Sequence, residues 1–416
     1  MTGWTALAVA TALIGVVAGV PGLLLLAVAT FAYGATTRLW TRYGLTNVSY
    51  ERRLGTDRAV AGDTVDLDVA VWNRKALPLP WVAADDLVTD GIEVRERRAL
   101  ELDDVTVARK SLRNTWALGW YERVIRHYHL EATRRGVFEF GPIRLHVRDL
   151  VGRHAVTEER PLPARLVVAP RTLPVMDSTG ARAPIGEWRA RQGLFHDPAL
   201  FGGVRPFQPG DPLRRIHWRA TARVGHPVSR RWEPARSRQV VLVLDVQTLP
   251  GPAWEMSWDP DAFEGLCIAT ASLARAALDG GAAVGLAAAG FSGTAQRVAY
   301  LPGRSGLAQL GRVTDLLARL GPISSGSLGG LLTWLTRRVP AGASLIILTA
   351  RPPRPFAPFL RRMAASGYGM ESLVLQGADH VATDAAVREA RVAGLTARAM
   401  RLDPAWETAD VVALSA

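Results

Sequence analysis

Residues 240–245 read Val-Val-Leu-Val-Leu-Asp, a continuous apolar run that ends in a carboxylate. Such a run is typical of a strand that is buried on both faces of a parallel sheet. A second run of this kind, Ser-Leu-Ile-Ile-Leu-Thr, occupies residues 344–349. Because strands alternate with helical patterns around these runs, residues 239–416 are predicted to form a mostly parallel, doubly wound α/β domain. The predicted helices are 259–279, 304–320, 327–339, 355–366 and 382–394, and the remaining predicted strands are 282–289, 371–376 and 397–402.

The ends of the two quoted strands carry the side chains of a candidate site. A doubly wound sheet binds ligands at the carboxyl ends of its strands, near the point where the strand order reverses. We therefore predict a strand-end site at Asp245, Gln247 and Thr349. We expect Asp245 to accept hydrogen bonds from backbone groups of its loop or to pair with an arginine from the preceding segment. Trp254 and Trp258, in the loop after Asp245, predict an aromatic rim beside this site, since such residues are favoured at interfaces.

This arrangement resembles a von Willebrand factor A domain. For a metal-binding member, the resemblance implies an Asp-x-Ser-x-Ser run after the first strand and a second Asp after the Thr of a later strand. Here the first run is Asp245-Val-Gln-Thr-Leu249, and Ala350 follows Thr349. One carboxylate is a poor ligand set for Mg²⁺, a hard cation that dehydrates reluctantly. We expect no metal and no cofactor, with Mg²⁺ near Asp245 as the alternative.

A dense arginine and aromatic motif precedes this domain. It reads Arg-Pro-Phe-Gln-Pro-Gly-Asp-Pro-Leu-Arg-Arg-Ile-His-Trp-Arg-Ala-Thr-Ala-Arg over residues 205–223 and contains a Pro-Gly-Asp-Pro turn signal at 209–212. The motif resembles the signature of the domain-of-unknown-function 58 (DUF58) family, roughly R-x-Y-x-x-G-D-x-x-R-x-I-D-W-x-x-S-A-R. Phe207 replaces the Tyr of that signature, His217 replaces its second Asp, and Thr221 replaces its Ser. The candidate binding residues are Arg205, Gly210, Asp211, Arg214, Arg215, His217, Trp218 and Arg223.

This motif has two interpretations. In a structural network, its arginines pair with Asp211, Glu233 or Asp245 above the rings of Trp218 and Trp232. In a recognition surface, they bind an acidic protein segment or a phosphate, because those acids are too few to neutralise every arginine. Nucleic acid is not expected, because no RRM, KH or helix-turn-helix pattern accompanies the basic residues.

Residues 46–170 are predicted to form an all-β, sandwich-like domain. Polar and apolar residues alternate over 64–72 and 124–132, as in half-buried strands, and turn signals separate several short strands. His127 and His129 are predicted to share one strand face. A His-x-His pair can bind a metal, but a third ligand is not apparent nearby, so a solvated strand face is favoured. Residues 171–238 then form a linker that carries the arginine motif.

The first 37 residues contain no charged side chain. This stretch is too long for one span of about 20 residues and suits two short ones. Because Pro21 breaks the pattern, we predict a transmembrane helical hairpin in residues 1–43, with helices roughly at 4–19 and 21–37. A signal peptide and a single tilted span are the alternatives. Arginines at 38, 42, 52 and 53 follow the second helix, so the positive-inside rule predicts a multi-pass protein of the cytoplasmic membrane with cytosolic later domains.

Composition narrows the classes of function. The chain has 50 Lys and Arg residues against 38 Asp and Glu, a formal net charge of +12, which suits an anionic membrane surface or an acidic partner. Its single cysteine, Cys267, excludes an internal disulfide and a cysteine-based zinc site. Walker, dinucleotide-binding, His-Glu-x-x-His and Gly-x-Ser-x-Gly motifs are absent from the sequence, and we expect a protein that is not an enzyme.

The order of hairpin, β domain, arginine motif and α/β domain is also the usual order of the DUF58 family. Its members are typically encoded beside MoxR-type AAA+ ATPases, often near a transglutaminase-like membrane protein. The resemblance therefore implies an adaptor for such an ATPase, acting in the assembly or maturation of cell-envelope or other complexes and contacting other membrane proteins. Two alternatives stay open: a metal-dependent von Willebrand A module, and an anion- or nucleotide-sensing protein that uses the arginine motif.

Overall fold

The computed structural model describes the chain except for residues 1–2, 89–91, 97–105, 109–110, 149–154, 178–195, 209–215, 235–238, 250–257, 293–297, 377–379, 403–408 and 416. The chain divides into two compact units, Met1–Val168 and Ala169–Ala416. The first contains two apolar helices and a β domain, and the second contains the α/β domain.

Two helices open the first unit, α1 at Gly3–Ala18 and α2 at Pro21–Tyr43. They lie antiparallel and close together: the rings of Trp4 and Tyr33 are 4.9 Å apart, and a Cβ added to Gly15 would lie 2.9 Å from the Cβ of Leu23. The predicted pair of apolar helices is therefore present, and α2 extends beyond its predicted end at residue 37. Within the described residues, α2 alone is long and apolar enough to span a membrane, over Pro21–Trp40.

The β domain consists of two antiparallel sheets around one core. A four-stranded sheet has the order β1-β3-β8-β5, and the other has the order β2-β11-β9-β4-β7-β6, with β10 also paired to β9. Leu67 and Val69 of the first sheet and Val82 and Leu145 of the second belong to the same buried cluster, which confirms the sandwich-like prediction. The strands are β1 Val48–Leu54, β2 Arg58–Val60, β3 Thr64–Asn73, β4 Leu79–Val88, β5 Ile92–Glu96, β6 Thr106–Ala108, β7 Ser111–Leu118, β8 Arg123–Ala132, β9 Gly136–Arg148, β10 Ala155–Arg160 and β11 Ala164–Ala169.

The second unit is built on an eight-stranded mixed sheet with the order β12-β21-β20-β19-β18-β15-β16-β17. Its strands are β12 Val175–Asp177, β15 Gln239–Leu244, β16 Ala283–Ala288, β17 Ala299–Arg304, β18 Ser344–Thr349, β19 Gly369–Leu375, β20 Ala397–Arg401 and β21 Val412–Ser415. Its helices are α4 Pro260–Asp279, α5 Leu307–Arg319, α6 Leu328–Leu335, α7 Ala357–Ala365 and α8 His380–Val392, with a 3₁₀ turn at Arg354–Phe356. In the run β16-β15-β18-β19-β20, each strand is parallel to its neighbours. At the two ends of this run, β17 pairs antiparallel with β16, and β21 pairs antiparallel with β20.

Both faces of this sheet are covered. Leu242 and Leu244 of β15 lie in one buried cluster with Leu266 of α4, whereas Val241 and Val243 lie in another cluster with residues of α6 and α7. A strand that is buried on both sides needs apolar residues at every position, which explains the continuous run at 240–244.

The segment 171–238 contains β12, β13 His196–Pro206, the short helix α3 Trp218–Val224 and β14 Val228–Pro234. In the described part of this segment, β13 and β14 pair with each other as a separate two-stranded sheet, and α3 immediately precedes β14. The arginine motif, residues 205–223, therefore begins in the last two residues of β13 and continues into the connection between β13 and β14.

Candidate functional site

The strand-end site lies where the strand order of the large sheet reverses. β15 is followed in sequence by β16 on one side, whereas the later strand β18 pairs with its other side. The loops that leave β15 and β18 thus diverge at this point, which is where such sheets hold ligands. Asp245 directly follows β15 and Thr349 ends β18, and the amide of Asp245 donates to the carbonyl of Leu348 at 2.9 Å. The predicted Asp245 and Thr349 are therefore adjacent.

Both carboxylate oxygens of Asp245 bind the guanidinium of Arg351. The Nη2 atom of Arg351 lies 2.9 Å from Oδ1 and 2.7 Å from Oδ2, and its Nε lies 3.0 Å from Oδ2. The hydroxyl of Thr349 donates to the same Oδ2 at 2.9 Å and accepts from the amide of Arg351 at 3.0 Å. This two-pronged geometry is the strongest form of a carboxylate–arginine pair.

The pair is buried, with 5% of the Asp245 side chain and 15% of the Arg351 side chain exposed. Burial raises the pKa of Asp245, and the opposing influences are the charge and hydrogen bonds of Arg351, the hydroxyl of Thr349 and the backbone of Gln247. Removing the guanidinium would therefore leave a desolvated carboxylate with only neutral donors.

The sequence analysis expected Asp245 to contact its own loop or an arginine of the preceding motif. The bond from the backbone of Gln247 agrees with the first expectation. The arginine, however, is Arg351 from the loop after β18, at least among the residues that the structure describes. The sequence held a signal for this contact. Ala350 stands where the metal-binding pattern would place a carboxylate, and the basic residue Arg351 directly follows it.

The site's chemistry is that of a closed ion pair. Asp245 offers its two oxygens to a cation that the chain itself supplies, and the described residues contain no group of three His, Cys, Asp or Glu side chains placed to hold a metal ion. Gln247 is partly buried, and Thr248 accepts from the amide of Asp259, the residue that caps α4. The polar groups at this edge therefore hold the loops in place.

The helix α3 presents the described half of the arginine motif. Its N-cap is His217, whose Nδ1 accepts from the amide of Ala220 at 3.0 Å, the bond that an Asp makes at this position. The replacement of Asp by His217 thus keeps the capping function without the charge. The hydroxyl of Thr221, which replaces a Ser, accepts from the amide of Val228 at 3.2 Å.

None of the residues of α3 is buried. The side chain of Trp218 is 68% exposed and that of Val224 is 53% exposed, while Arg219 and Arg223 are exposed beside them. We call these four residues the α3 face. Among the residues described, neither arginine forms an ion pair.

The other predicted motif residues divide into two groups. Arg205 lies half-buried on β13, where its Nη1 donates to the carbonyl of Pro206 at 3.3 Å. Gly210, Asp211, Arg214 and Arg215 lie outside the described residues, so the predicted network around Asp211 stays a prediction.

The remaining sequence candidates give a mixed outcome. Trp258 is 39% exposed, as an aromatic rim requires, whereas Trp254 lies outside the described residues. The Nδ1 of His127 lies 2.5 Å from Asp68, and that of His129 lies 2.8 Å from Asp66 on the neighbouring strand β3. Each histidine therefore has its own carboxylate neighbour on the strand face.

Comparison with known proteins identifies one region. Residues 203–349 match the family model described as "Protein of unknown function DUF58", a range that includes the α3 face, Asp245 and Thr349. These residues therefore form a DUF58 domain. The chain is also a distant homologue of the uncharacterized protein YeaD of Bacillus subtilis (strain 168), with 25% identity over 258 residues. That match covers 60% of this chain and 57% of YeaD, so it spans less than two thirds of the relative's length.

Solved structures give weaker likenesses. A non-cellulosomal cohesin from the hyperthermophilic archaeon Archaeoglobus fulgidus is 14% identical, with 30% of this chain and 91% of the cohesin covered and a TM-score of 0.22. A CARDB domain from Pyrococcus furiosus is 13% identical, with 29% of this chain and 91% of that domain covered and a TM-score of 0.19.

Proposed function

We propose that this chain, which carries a DUF58 domain at residues 203–349, is a membrane-anchored protein-binding module that presents its α3 face to an acidic surface of another protein. The observation that carries this proposal is the exposure of Trp218 to 68% on a helix with no buried residue. A structural network would place this ring and its neighbouring guanidinium groups inside the fold.

The chemistry of the α3 face is that of a protein interface. Trp and Arg are the residues that most often dominate the binding energy of interfaces, because both combine a large apolar area with a polar group. Two exposed arginines within five residues also favour a partner of opposite charge, and the net charge of +12 acts in the same direction over longer distances.

The partner that we propose is a MoxR-type AAA+ ATPase, as the family resemblance implies. The chain would act as its adaptor, bringing the ATPase to client complexes at the membrane during their assembly or maturation. In this proposal the chain binds and does not catalyse, and nucleic acid is not a ligand.

The anchor would be the hairpin of α1 and α2. α2 has the length and composition of a span, and α1 would cross as the second, shorter one. Arg38, Arg42 and Arg53 would keep the following flank in the cytosol. Arg52, which the sequence analysis counted with them, is buried against Asp86 and contributes no charge at the membrane surface.

Two other functions were open from the sequence. The metal-dependent module is disfavoured by the Asp245–Arg351 pair, because Arg351 occupies both oxygens that a metal would need. Anion sensing would use the same exposed arginines as the proposed adaptor, and failure to capture an ATPase in the test below would favour it.

The test is crosslinking of the full-length protein in native membranes, followed by mass spectrometry of the captured proteins. We expect an AAA+ ATPase that is lost when Trp218, Arg219 and Arg223 are changed together to Ala. The matched control changes Arg388, Val392 and Arg401 to Ala, because these side chains are likewise exposed and of similar type. Equal capture by both variants, or no AAA+ ATPase among the proteins captured by the wild type, would contradict the adaptor proposal.

A further inference from the structure

Two large aromatic side chains stand exposed on the turn that connects β7, in one sheet of the β domain, to β8, in the other sheet. Residues 119–122 read Gly-Trp-Tyr-Glu, and the side chains of Trp120 and Tyr121 are 72% and 66% exposed. Trp120 is the most exposed tryptophan whose exposure the structure gives. We call residues 119–122 the aromatic tip.

The aromatic tip is held firmly. Asn73, at the end of β3, donates from its backbone to the carbonyl of Glu122 at 2.9 Å and from its side chain to the carbonyl of Gly119 at 2.7 Å. Glu122 in turn accepts from the amide of Gly119 at 2.5 Å. The two exposed rings are therefore carried by a turn whose backbone is held by hydrogen bonds.

One residue joins the aromatic tip to the end of the membrane helix. The carbonyl of Lys75 accepts from the amide of Tyr121 at 3.2 Å, while its ammonium donates to the carbonyls of Gly44 and Thr46 at 2.7 and 2.6 Å. Gly44 directly follows α2. Lys75 thus connects the backbone of the aromatic tip to the residues that directly follow α2.

A second set of contacts fixes this end of α2 to the β domain. The indole of Trp40 donates to the carbonyl of Pro78 at 3.0 Å, and the amide of Arg74 donates to the carbonyl of Asn47 at 2.8 Å. Trp40 is buried with the core of the β domain. These contacts attach the end of α2 to the part of the β domain that carries the aromatic tip.

We infer that the aromatic tip inserts into the headgroup layer of an anionic bilayer and fixes the β domain against the membrane beside α2. Trp and Tyr are enriched at this depth, because their rings have an apolar body and a polar group. This inference rests on the proposed anchoring of the chain by α2, and it adds a second contact with the same membrane.

The charges around the aromatic tip fit an anionic surface. Arg42 lies over the ring of Tyr43 at 5.6 Å, and Arg74 lies over the ring of Trp72 at 4.0 Å, so both cations are held beside aromatic rings. Of the nearby acids, Glu122 is engaged by Gly119, and Glu51 lies 3.3 Å from Arg123. Basic side chains near an anionic membrane surface are attracted to it, which favours this orientation of the β domain.

The experiment uses depth-dependent quenching in the full-length chain. Cys267 is the chain's single cysteine and is buried, so an introduced cysteine can be labelled with an environment-sensitive fluorophore. The three labelled variants are Trp120→Cys, Val28→Cys in α2 and Asp57→Cys. Position 57 follows the far end of β1, which begins next to the helix end and extends about 20 Å from it. Each variant is placed in nanodiscs of equal parts phosphatidylcholine and phosphatidylglycerol.

We expect quenching by spin-labelled lipid at positions 28 and 120, several-fold stronger than at 57, with the reverse order for aqueous iodide. Lipid quenching at 28 with free access of iodide to 120 would overturn the inference and leave the anchor intact. Absence of lipid quenching at 28 would instead overturn the proposed anchor. Protection of 120 from both quenchers would show that protein covers the aromatic tip, which also contradicts the inference.

Discussion

The guanidinium of Arg351 changes what the strand ends can bind. A carboxylate at a switch point is open to a metal or a ligand when nothing else neutralises it, and here the chain neutralises it internally. The same pair joins the loops that follow β15 and β18. Asp245 therefore has a structural role that its position alone would not reveal.

The first prediction concerns the loss of this partner. Arg351→Ala leaves Asp245 buried and unpaired, so we expect the unfolding free energy to fall by roughly 3–5 kcal/mol, as measured by denaturant unfolding. The control Arg354→Ala breaks an exposed pair with Glu389 and should cost less than about 1 kcal/mol. Equal losses in the two variants would contradict a buried ion pair, and a Mg²⁺-induced rise in the wild-type Tm would revive the metal-dependent alternative.

The second prediction concerns pH. Burial raises the pKa of Glu371 from 4.5 to about 7, with hydrogen bonds and charge from Arg398 acting against the increase. Between these values the folded state binds more protons than the unfolded state, so the unfolding free energy falls as the pH rises from about 4.5 to about 7. The full effect is on the order of 3 kcal/mol, at 1.36 kcal/mol per pKa unit.

Unfolding of the wild type and of Glu371→Gln across this pH range measures that effect. The variant cannot titrate at position 371, so the difference in stability between the two proteins should change with pH and level off outside the window. A difference that stays constant from pH 4.5 to 7 would show that Glu371 has an ordinary pKa.

The joint between α2 and the β domain depends on two cations. Lys75 and Arg160 together donate to the carbonyls of four residues after the helix, Gly44, Leu45, Thr46 and Val48. Partial burial of the Lys75 ammonium and, secondarily, the charge of Arg160 lower the pKa of Lys75 to about 8. These contacts give hydrogen-bond partners to backbone carbonyls of the segment that connects α2 to β1.

The third prediction tests this joint. Lys75→Ala removes two charge-assisted hydrogen bonds, so backbone hydrogen exchange over residues 44–48 should accelerate by about tenfold or more. Arg53→Ala, at a site that is 75% exposed, serves as the control and should leave exchange in this segment unchanged. Unchanged exchange in the Lys75 variant would mean that the helix is held by Trp40 and its neighbours alone.

The elements that could be predicted from the sequence are those with a strong period or a continuous apolar run. The alternation at 64–72 became β3, and the runs at 240–245 and 344–349 became the central strands β15 and β18. Three strands of the large sheet were not foreseen, because they are short and lack a long apolar or alternating run: β12 and β17 at its two edges, and β21 beside β12. Asp245 and Thr349 could be placed together because each lies at the end of a strand that its apolar run predicts. The contact with Arg351 could not be predicted, because it depends on the conformation of the loop after β18.

The whole chain combines an apolar helical pair, a β domain tied to it, and an α/β unit that carries exposed arginines. The aromatic tip and the cations near α2 suit a membrane surface, whereas Trp218 and its neighbouring arginines suit an acidic protein. In this account, the first unit contacts the membrane and the second binds the partner protein. The basic residues of the chain therefore contribute to two different contacts.

The most direct test is the affinity of the full-length protein, in nanodiscs, for the purified AAA+ ATPase identified by crosslinking. For a hot spot centred on Trp218, we predict at least about a 30-fold loss of affinity in the triple Ala variant of Trp218, Arg219 and Arg223. The control variant of Arg388, Val392 and Arg401 should bind as the wild type does. Affinity that is equal in all three proteins would contradict the claim that the α3 face is the binding surface.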